Sequence, residues 1–221
     1  MVIVNSYVET IHWLEAYGKS IIYIDETNIN LFCTRHFGRA TRGQRVRVPM
    51  ASSKGRNLHI IGAISANGLV KFTIKRGSFN AELCKEWMRE LLRELSNNND
   101  ERSYVVVCDN APCHTHLEEV FHHQDFQLVR LGPYSPALNP IEIIWSVLKS
   151  RIKVNMREQY AQILEGDPSQ CLSKQEWRMR CLESIVSNLS SCITPTVCAN
   201  AVKHVQSFYD AALRGDRLSN Q

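Results

Sequence analysis

The sequence predicts a mixed α/β fold in which helices flank a β-sheet. Two short apolar runs, 21–24 and 104–108, are typical of strands buried on both faces of a sheet. The pair Asn67-Gly68 lies between two segments rich in β-forming residues, which predicts a hairpin. Amphipathic helical segments separate the later strands. This order of elements predicts a mixed sheet covered by helices.

Hydrophobic periodicity assigns the elements of the first half of the chain. It predicts a helix over 7–18, strands over 21–25, 58–65 and 69–75, and a helix over 80–95 with Leu83, Trp87, Leu91 and Leu95 on its buried face. Residues 28–56 are rich in Arg, Gly and Ser, so we expect a long excursion with little regular structure. An irregular insertion of this length inside a domain is usually functional.

The second half of the chain alternates strands and helices. We expect strands over 104–108 and 126–131, a loop over 132–139, and helices over 115–122, 140–154, 174–189 and 195–213. The Gly-Asp-Pro run at 166–168 predicts a turn inside a mixed segment, 155–173. The corresponding domain division is a short helical linker at 1–19, an α/β domain at 20–155 and a packed helical extension at 156–221.

Composition excludes several classes of protein. A chain of 221 residues with 44% hydrophobic and 22% charged residues has the make-up of a globular protein that can bury a full core. It contains no run of 18 apolar residues, so we expect no membrane-spanning helix, and its N-terminus has no secretory pattern. Its eight scattered cysteines include no Cys-x-x-Cys pair, which predicts reduced thiols in an intracellular protein and no structural zinc site.

Positive charge is concentrated in one stretch of the chain. No Asp or Glu lies between Thr27 and Ala81, whereas ten Lys or Arg residues do. A segment with charge of one sign favours a surface that contacts a phosphate backbone. A solvated basic loop is the alternative, and charge alone leaves both interpretations open.

Three acidic residues stand at the ends of distinctive segments. Asp25 and Asp109 each follow an apolar strand, and Glu142 falls in the first turn of a predicted helix. Taken singly, the two aspartates fit turn residues, and Glu142 fits a capping box with Asn139 as N-cap and Pro140 at the first helical position. Taken together, three carboxylates at one sheet edge could share two divalent cations for phosphoryl transfer.

The segments around these acids resemble the catalytic blocks of Tc1/mariner transposases. The resemblance covers roughly residues 20–155 and rests on 23–27 (YIDET), 108–114 (CDNAPCH) and 134–145 (YSPALNPIEIIW). A glutamate as the third acid is more like the Tc1 branch, because the mariner branch has aspartate there. The resemblance implies a ribonuclease H-like fold and a DDE endonuclease that performs strand transfer in DNA transposition and integration.

The resemblance also implies roles for individual residues. Asp25, Asp109 and Glu142 would be the catalytic residues and the ligands of two Mg²⁺ or Mn²⁺ ions, with Asn110 and His114 supporting them. The basic excursion 28–56 falls where such transposases carry a loop that clasps a partner subunit and DNA. DNA contacts are therefore expected from Arg35, Arg39, Arg42, Arg45, Arg47 and Lys54. The implied partners are double-stranded DNA (transposon ends and target) and a second copy of the chain, and the implied location is the nucleus.

One departure from the family is expected to limit recognition. Tc1/mariner transposases carry helix-turn-helix domains before the catalytic domain, whereas about 20 residues precede the first catalytic strand here. We therefore expect little sequence specificity in DNA binding. Two alternatives stay open: another ribonuclease H-like nuclease, such as one that cuts RNA–DNA hybrids, and a domesticated or decayed remnant that binds DNA without cutting it.

Overall fold

A five-stranded mixed sheet with the order β3-β2-β1-β4-β5 organises the molecule. The computed structural model describes residues 2–31, 40–45, 56–97, 103–132 and 135–214. The strands are β1 (Ser20–Ile29), β2 (Leu58–Ser65), β3 (Gly68–Arg76), β4 (Tyr104–Cys108) and β5 (Phe126–Arg130). The first three strands are antiparallel, while β1, β4 and β5 run parallel to one another. The predicted mixed sheet and the hairpin at Asn67-Gly68 are confirmed.

Helices cover both faces of this sheet. They are α1 (Val2–Ala16), α2 (Ala81–Asn97), α3 (Pro140–Glu158), α4 (Tyr160–Glu165), α5 (Lys174–Leu189), α6 (Pro195–Gln206) and α7 (Tyr209–Arg214). The apolar face of α2 packs on one side of the sheet, and α1, α3, α5, α6 and α7 share a core with the other side. The face of α2 differs slightly from the expected one, because Cys84 and Met88 are buried whereas Leu83 is partly exposed.

Alternation along the central strands divides the core into these two layers. In β1, Ile21 and Tyr23 face the α3 side, while Ile22 and Ile24 face the α2 side. Because side chains alternate along a strand, the next residue, Asp25, belongs to the α3 side and Glu26 to the α2 side. The strand therefore delivers two neighbouring carboxylates to opposite faces of the sheet.

Two predicted helices differ from the structure. Residues 115–122 form no α-helix; two 3₁₀ turns, Pro112–His114 and Leu117–Val120, take their place. His116 between them has a left-handed backbone (φ 60°), which interrupts continuous helical geometry. The helix expected over 195–213 is two helices, because Ser207 donates its hydroxyl to the His204 carbonyl at the point where α6 ends.

The predicted division into domains stays a prediction, although two observations bear on it. Helix α1, expected to be a linker, buries Tyr7, Val8, Ile11 and Leu14 in the same core as the sheet. Helix α3 runs across the predicted boundary at residue 155 without interruption. The C-terminal helices are also attached to the sheet by Arg76 at the end of β3, which forms ion pairs with Glu176 and Glu183 of α5.

No single helix of the described chain is long and apolar enough to cross a membrane. The bent pair Lys174–Cys192 and Pro195–Arg214 passes that test only when the two helices are taken together, across a 75° bend. Their buried residues pack in the same core cluster as β1 and β4. All cysteines of the described residues are free thiols.

Candidate active site

Asp25 and Asp109 lie side by side because of the register between β1 and β4. The parallel pairing aligns Ser20 with Tyr104 and continues to Tyr23 and Val107. Two residues further along each strand come Asp25 and Asp109. β4 ends at Cys108, whereas β1 continues to Ile29, so Asp25 lies inside β1 and not at its end as predicted, and Asp109 lies beside it just after β4. Asp25 is 8% exposed, whereas Asp109 is only partly buried.

Glu142 reaches the same edge from the first turn of α3. The helix begins at Pro140, and Ile141, Ile144 and Trp145 are buried against the sheet, which fixes the position of the turn. The capping-box alternative is wrong, because the side chain of the N-cap residue Asn139 makes no capping hydrogen bond. Glu142 is half-buried and has no structural hydrogen bond of this kind, so its carboxylate remains available to a ligand.

Trp145 joins α3 directly to the first aspartate. Its indole Nε1 donates a hydrogen bond to Asp25 Oδ2 at 2.9 Å. Gly62, which pairs with Asp25 in the β1–β2 register, makes room for this indole. A Cβ at Gly62 would lie 2.7 Å from Trp145 Cη2, which is closer than a real contact allows. The absence of a side chain at Gly62 therefore permits the contact that orients Asp25.

The carboxylates on this edge strongly repel one another. Burial raises the pKa of Asp25 to about 8, with Glu142 the largest of the charges that add to the effect. Burial also raises the pKa of Glu142, and the charge of Asp109 contributes in the same direction. Mutual electrostatic effects of this kind require the groups to be close. A divalent cation would relieve the repulsion, and an all-carboxylate set of oxygen ligands suits Mg²⁺ or Mn²⁺.

Asp109 has compensating partners that Asp25 lacks. Its Oδ1 accepts hydrogen bonds from His114 Nδ1 at 2.6 Å and from the Ala111 backbone N–H at 2.9 Å. Burial alone would raise the pKa of Asp109, but these bonds outweigh it and the pKa lies below its usual value. His114 therefore supports the second aspartate, which is the role expected for it.

Arg130, at the end of β5, holds the loop that carries Asp109. Its guanidinium donates to the backbone carbonyls of Asp109 (3.2 Å) and His114 (2.7 Å). Asn110 donates its side-chain amide to the Leu131 carbonyl at 2.8 Å, which ties the same loop to the end of β5. Asn110 thus supports the position of Asp109 through the backbone, without touching the carboxylate cluster itself.

On the α2 side of β1, His114 meets a second group of polar side chains. His114 is fully buried, and its Nε2 lies 2.9 Å from Glu26 Oε2. The Cys113 thiol donates to the other oxygen of the Glu26 carboxylate. Burial opposes protonation of His114, but Asp109, Cys113 and Glu26, which lie against its ring, raise the pKa of His114 far above its usual value.

The expected DNA-contacting residues are only partly described. Arg42 and Arg45 are exposed, as a phosphate contact requires. Arg35, Arg39, Arg47 and Lys54 lie outside the described residues, as does most of the excursion 28–56. Their role in DNA binding stays a prediction.

A cavity of about 650 Å³ lies at the opposite end of β1, away from the acidic residues. It is lined by residues such as Lys19, Ser20 and Asn67, and contains none of the three predicted catalytic acids. The acidic cluster instead occupies a sheet edge, which suits a large substrate better than an enclosed small molecule. We therefore assign the candidate active site to the middle of β1 and the end of β4.

Sequence reasoning predicts the meeting of three acids but not the residues that position them. The hydrogen bond from Trp145 crosses 120 residues of sequence, and the sequence pattern places Trp145 only in an apolar stripe. Gly62 gives a usable signal, because a glycine inside a strand often marks a close approach by another group. Arg130 gives none, since a basic residue at a strand end is ordinary.

Comparison with known proteins assigns the chain to a family. The model of the family described as "DDE superfamily endonuclease" matches residues 20–164. The Transposable element Tcb1 transposase of Caenorhabditis briggsae is 27% identical over 154 residues, which cover 64% of this chain and 56% of that protein. The chain thus spans little more than half the length of this relative.

Two solved structures share the fold. The Mos1 transposase paired-end complex with left transposon end matches with a TM-score of 0.68 and 13% identity, covering 99% of this chain and 63% of that one. The Mos1 mariner paired end complex with Mn matches with a TM-score of 0.67 and 15% identity, covering 98% and 62%. At these identities the likeness concerns the fold, and it agrees with the expected ribonuclease H-like sheet.

Proposed function

The chain belongs to the DDE superfamily endonuclease family as a transposase catalytic domain of the Tc1/mariner type, and from this premise we propose that it cuts and joins DNA with divalent cations. The observation that carries the proposal is the register that sets Asp25 beside Asp109, together with the charge of Glu142, which adds to the effect of burial and raises the pKa of Asp25. The family assignment made from the three sequence motifs is confirmed. The catalytic roles of the three acids are part of the proposal.

The three acids would hold the cations together. Asp25 and Asp109 would supply ligands from neighbouring strands, and Glu142 would complete the ligand set from α3. Two cations held there would activate the attacking water or 3′-hydroxyl and stabilise the leaving oxygen. Trp145 contacts Asp25 and His114 contacts Asp109 by hydrogen bonds, so each aspartate would be held in position by a neighbouring side chain.

The proposed substrate is double-stranded DNA. A relative that is a transposase and a similar fold solved with a transposon end support this choice of substrate. We further propose that the basic excursion 28–56 contacts phosphates and clasps a second copy of the chain, and that the protein acts in the nucleus. Phosphate contacts of this kind contribute affinity but carry no sequence information.

Nicking of a supercoiled plasmid tests the proposal. The full chain is incubated with Mg²⁺, Mn²⁺ or EDTA, beside Glu142→Gln and Glu158→Gln. Glu158 is an exposed carboxylate at the far end of the same helix, so its variant controls for loss of charge on α3. We expect nicking that needs a divalent cation, that is lost in Glu142→Gln and that persists in Glu158→Gln.

Four results would contradict the proposal. Nicking that is equal in EDTA would exclude metal-dependent chemistry, and nicking undiminished in Glu142→Gln would remove Glu142 from the site. DNA binding without nicking in either metal would instead favour the remnant that binds DNA without cutting it. A preference for RNA–DNA hybrids over plasmid DNA would favour the other ribonuclease H-like nuclease.

A further inference from the structure

The side chains of Glu26, Cys113 and His114 form a second cluster of metal-ligating atoms. A carboxylate oxygen, the thiol sulphur and an imidazole nitrogen all lie within 4.8 Å of one another. Alternation along β1 places Glu26 on the opposite side of the strand from Asp25. This cluster, which we call the Glu-Cys-His cluster, is therefore made of other residues than the all-carboxylate site, and His114 connects the two by its contact with Asp109.

Two atoms of the cluster are buried without a hydrogen-bond partner. His114 is fully buried, and neither its Nε2 nor Glu26 Oε2 makes a hydrogen bond of good geometry, although the atoms are 2.9 Å apart. A buried polar atom without a partner costs free energy and calls for an explanation. Here both atoms point at the same space, beside the Cys113 thiol. A cation in that space would satisfy both of them.

The other nitrogen of His114 is already arranged as it is in metal sites. Histidines that bind metals almost always use their second ring nitrogen to donate a hydrogen bond to a carboxylate or carbonyl. His114 Nδ1 lies 2.6 Å from Asp109 Oδ1, which fixes the ring and leaves Nε2 directed toward the cluster. The order of groups is therefore Asp109 carboxylate, His114 imidazole, and Nε2, which becomes a ligand when its proton and that of the Cys113 thiol pass to solvent.

We propose that Glu26, Cys113 and His114 bind one thiophilic divalent cation of the Zn²⁺ class. A thiolate, an imidazole and a carboxylate are the ligands that Zn²⁺ prefers, whereas Mg²⁺ takes oxygen ligands. Three protein ligands leave a fourth position for water. The sequence predicts no zinc site because it contains no Cys-x-x-Cys pair. A search for Cys-x-x-Cys pairs does not find this site, because the fold brings Glu26 to Cys113 and His114 from a distant part of the sequence.

Only small movements are needed to form the site. Ligand bonds to Zn²⁺ of about 2.0–2.3 Å place neighbouring ligand atoms roughly 3.3–3.8 Å apart in a tetrahedron. The Cys113 sulphur and the Glu26 oxygen, now in direct contact, would separate by about an ångström to reach that spacing. Glu26 retains a 20% exposed side chain and Cys113 is only partly buried, so a cation can enter from solvent.

Titration of the metal-free full chain with Co²⁺ tests this site without any measurement of DNA cleavage. Co²⁺ replaces Zn²⁺ in such sites, and a thiolate bound to it gives a charge-transfer absorption in the near ultraviolet. We expect that band to saturate at one equivalent, to be displaced by Zn²⁺ and to resist a large excess of Mg²⁺. No thiolate band in the wild-type chain, or displacement by Mg²⁺, would overturn the proposal.

Matched cysteine variants identify the ligand. Cys113→Ser is nearly isosteric and should abolish the band, while Cys171→Ser removes an exposed thiol elsewhere and should leave the band unchanged. Glu26→Gln should keep the thiolate band but weaken Zn²⁺ binding at least about tenfold. Circular dichroism of each variant checks the fold, with Cys113→Ala as a second choice if Cys113→Ser fails to fold. A band that survives in either folded Cys113 variant would overturn the assignment.

Discussion

Asp25 in the middle of β1 and Asp109 just after β4 are the same residue type at the same level of the sheet, yet their electrostatic environments are opposite. Asp25 is buried beside other carboxylates, and hydrogen bonds from the Trp145 indole and the Glu26 backbone do not offset this, so its pKa is raised to about 8. Asp109 receives bonds from His114 and the Ala111 backbone, and its pKa is lowered. Protein groups therefore stabilise the charge of Asp109, whereas burial and the neighbouring carboxylates oppose the charge of Asp25.

This difference shows how a cluster of acids can be folded without its cations. One member is kept ionised by the protein, and another can stay protonated until a cation arrives. The free energy of assembling the site is then lower than it would be for three bare carboxylates. Substitutions of Asp25 and Asp109 should consequently have equal effects on DNA cleavage but unequal effects on stability.

The largest expected effect is the loss of DNA cleavage when either aspartate is neutralised. Asp25→Asn and Asp109→Asn should each reduce plasmid nicking by roughly 10³-fold or more, the scale expected when an electrostatic interaction in the transition state is removed. DNA binding, measured by fluorescence anisotropy, should persist in both. Substantial cutting by either variant would remove that aspartate from the proposed catalytic set.

The same two variants should change thermal stability in opposite directions when cations are removed. In EDTA at pH 8, Asp25→Asn should stabilise the protein by about 3 kcal/mol, because it removes a buried charge whose folded pKa is well above its unfolded value. Asp109→Asn should destabilise it, because it removes the ionised partner of His114. Thermal melting measures both differences.

The pH dependence follows from the direction of each pKa shift. The stability contributed by protonated Asp25 is fully present below pH 4 and is lost as pH rises through about 8. Asp109 contributes stability at neutral pH that is lost as pH falls through its lowered pKa. The stabilisation that Asp25→Asn gives in EDTA at pH 8 should thus be smaller at pH 5. Saturating Mg²⁺ should also make this stabilisation smaller at pH 8. An unchanged gain in both conditions would contradict the comparison.

A smaller effect is expected from filling the space beside Asp25. Gly62→Ala places a methyl group against the six-membered ring of Trp145, so it should cost about 1–3 kcal/mol of unfolding free energy and disturb the indole bond to Asp25. Trp145→Phe removes the clashing ring atom, so the cost of Gly62→Ala should fall in that background. Denaturant unfolding of the four proteins forms the double-mutant cycle. Purely additive effects would show that the two residues do not interact.

The smallest expected effect on function comes from basic residues of the excursion 28–56, away from Asp25 and Asp109. Replacing Arg42, Arg45 and Arg47 with Gln should weaken DNA binding and lower the slope of log affinity against log salt by about 0.9 for each phosphate that is no longer neutralised. Thermal stability in EDTA should not change. Lys203→Gln with Lys174→Gln, on the C-terminal helices, provides a control for net charge. An unaltered slope would move the DNA surface elsewhere.

Local patterns in the sequence predict much of the fold and the three acids. The runs before Asp25 and Asp109 are apolar because both faces of the central strands are covered. The sequence therefore predicts buried strands at these places, although β1 continues past Asp25 to Ile29. The two 3₁₀ turns at 112–120 are not predictable in this way, since the left-handed backbone at His116 is not obvious from residue type. Neither is the hydrogen bond between Trp145 and Asp25, because nothing local connects residues so far apart.

The pairing of β1 with β4 also determines which side chains meet at the candidate active site. The distance between the two aspartates is set by how Ser20 aligns with Tyr104 at the other end of the strands. A slip of one residue would move Asp25 to the α2 side and bring Glu26 toward α3 in its place. Apolar residues such as Ile22 and Val106, which touch no substrate, thus determine which carboxylates meet. Substitutions of these apolar residues that shift the register would abolish activity, even though every acidic residue is still present in the sequence.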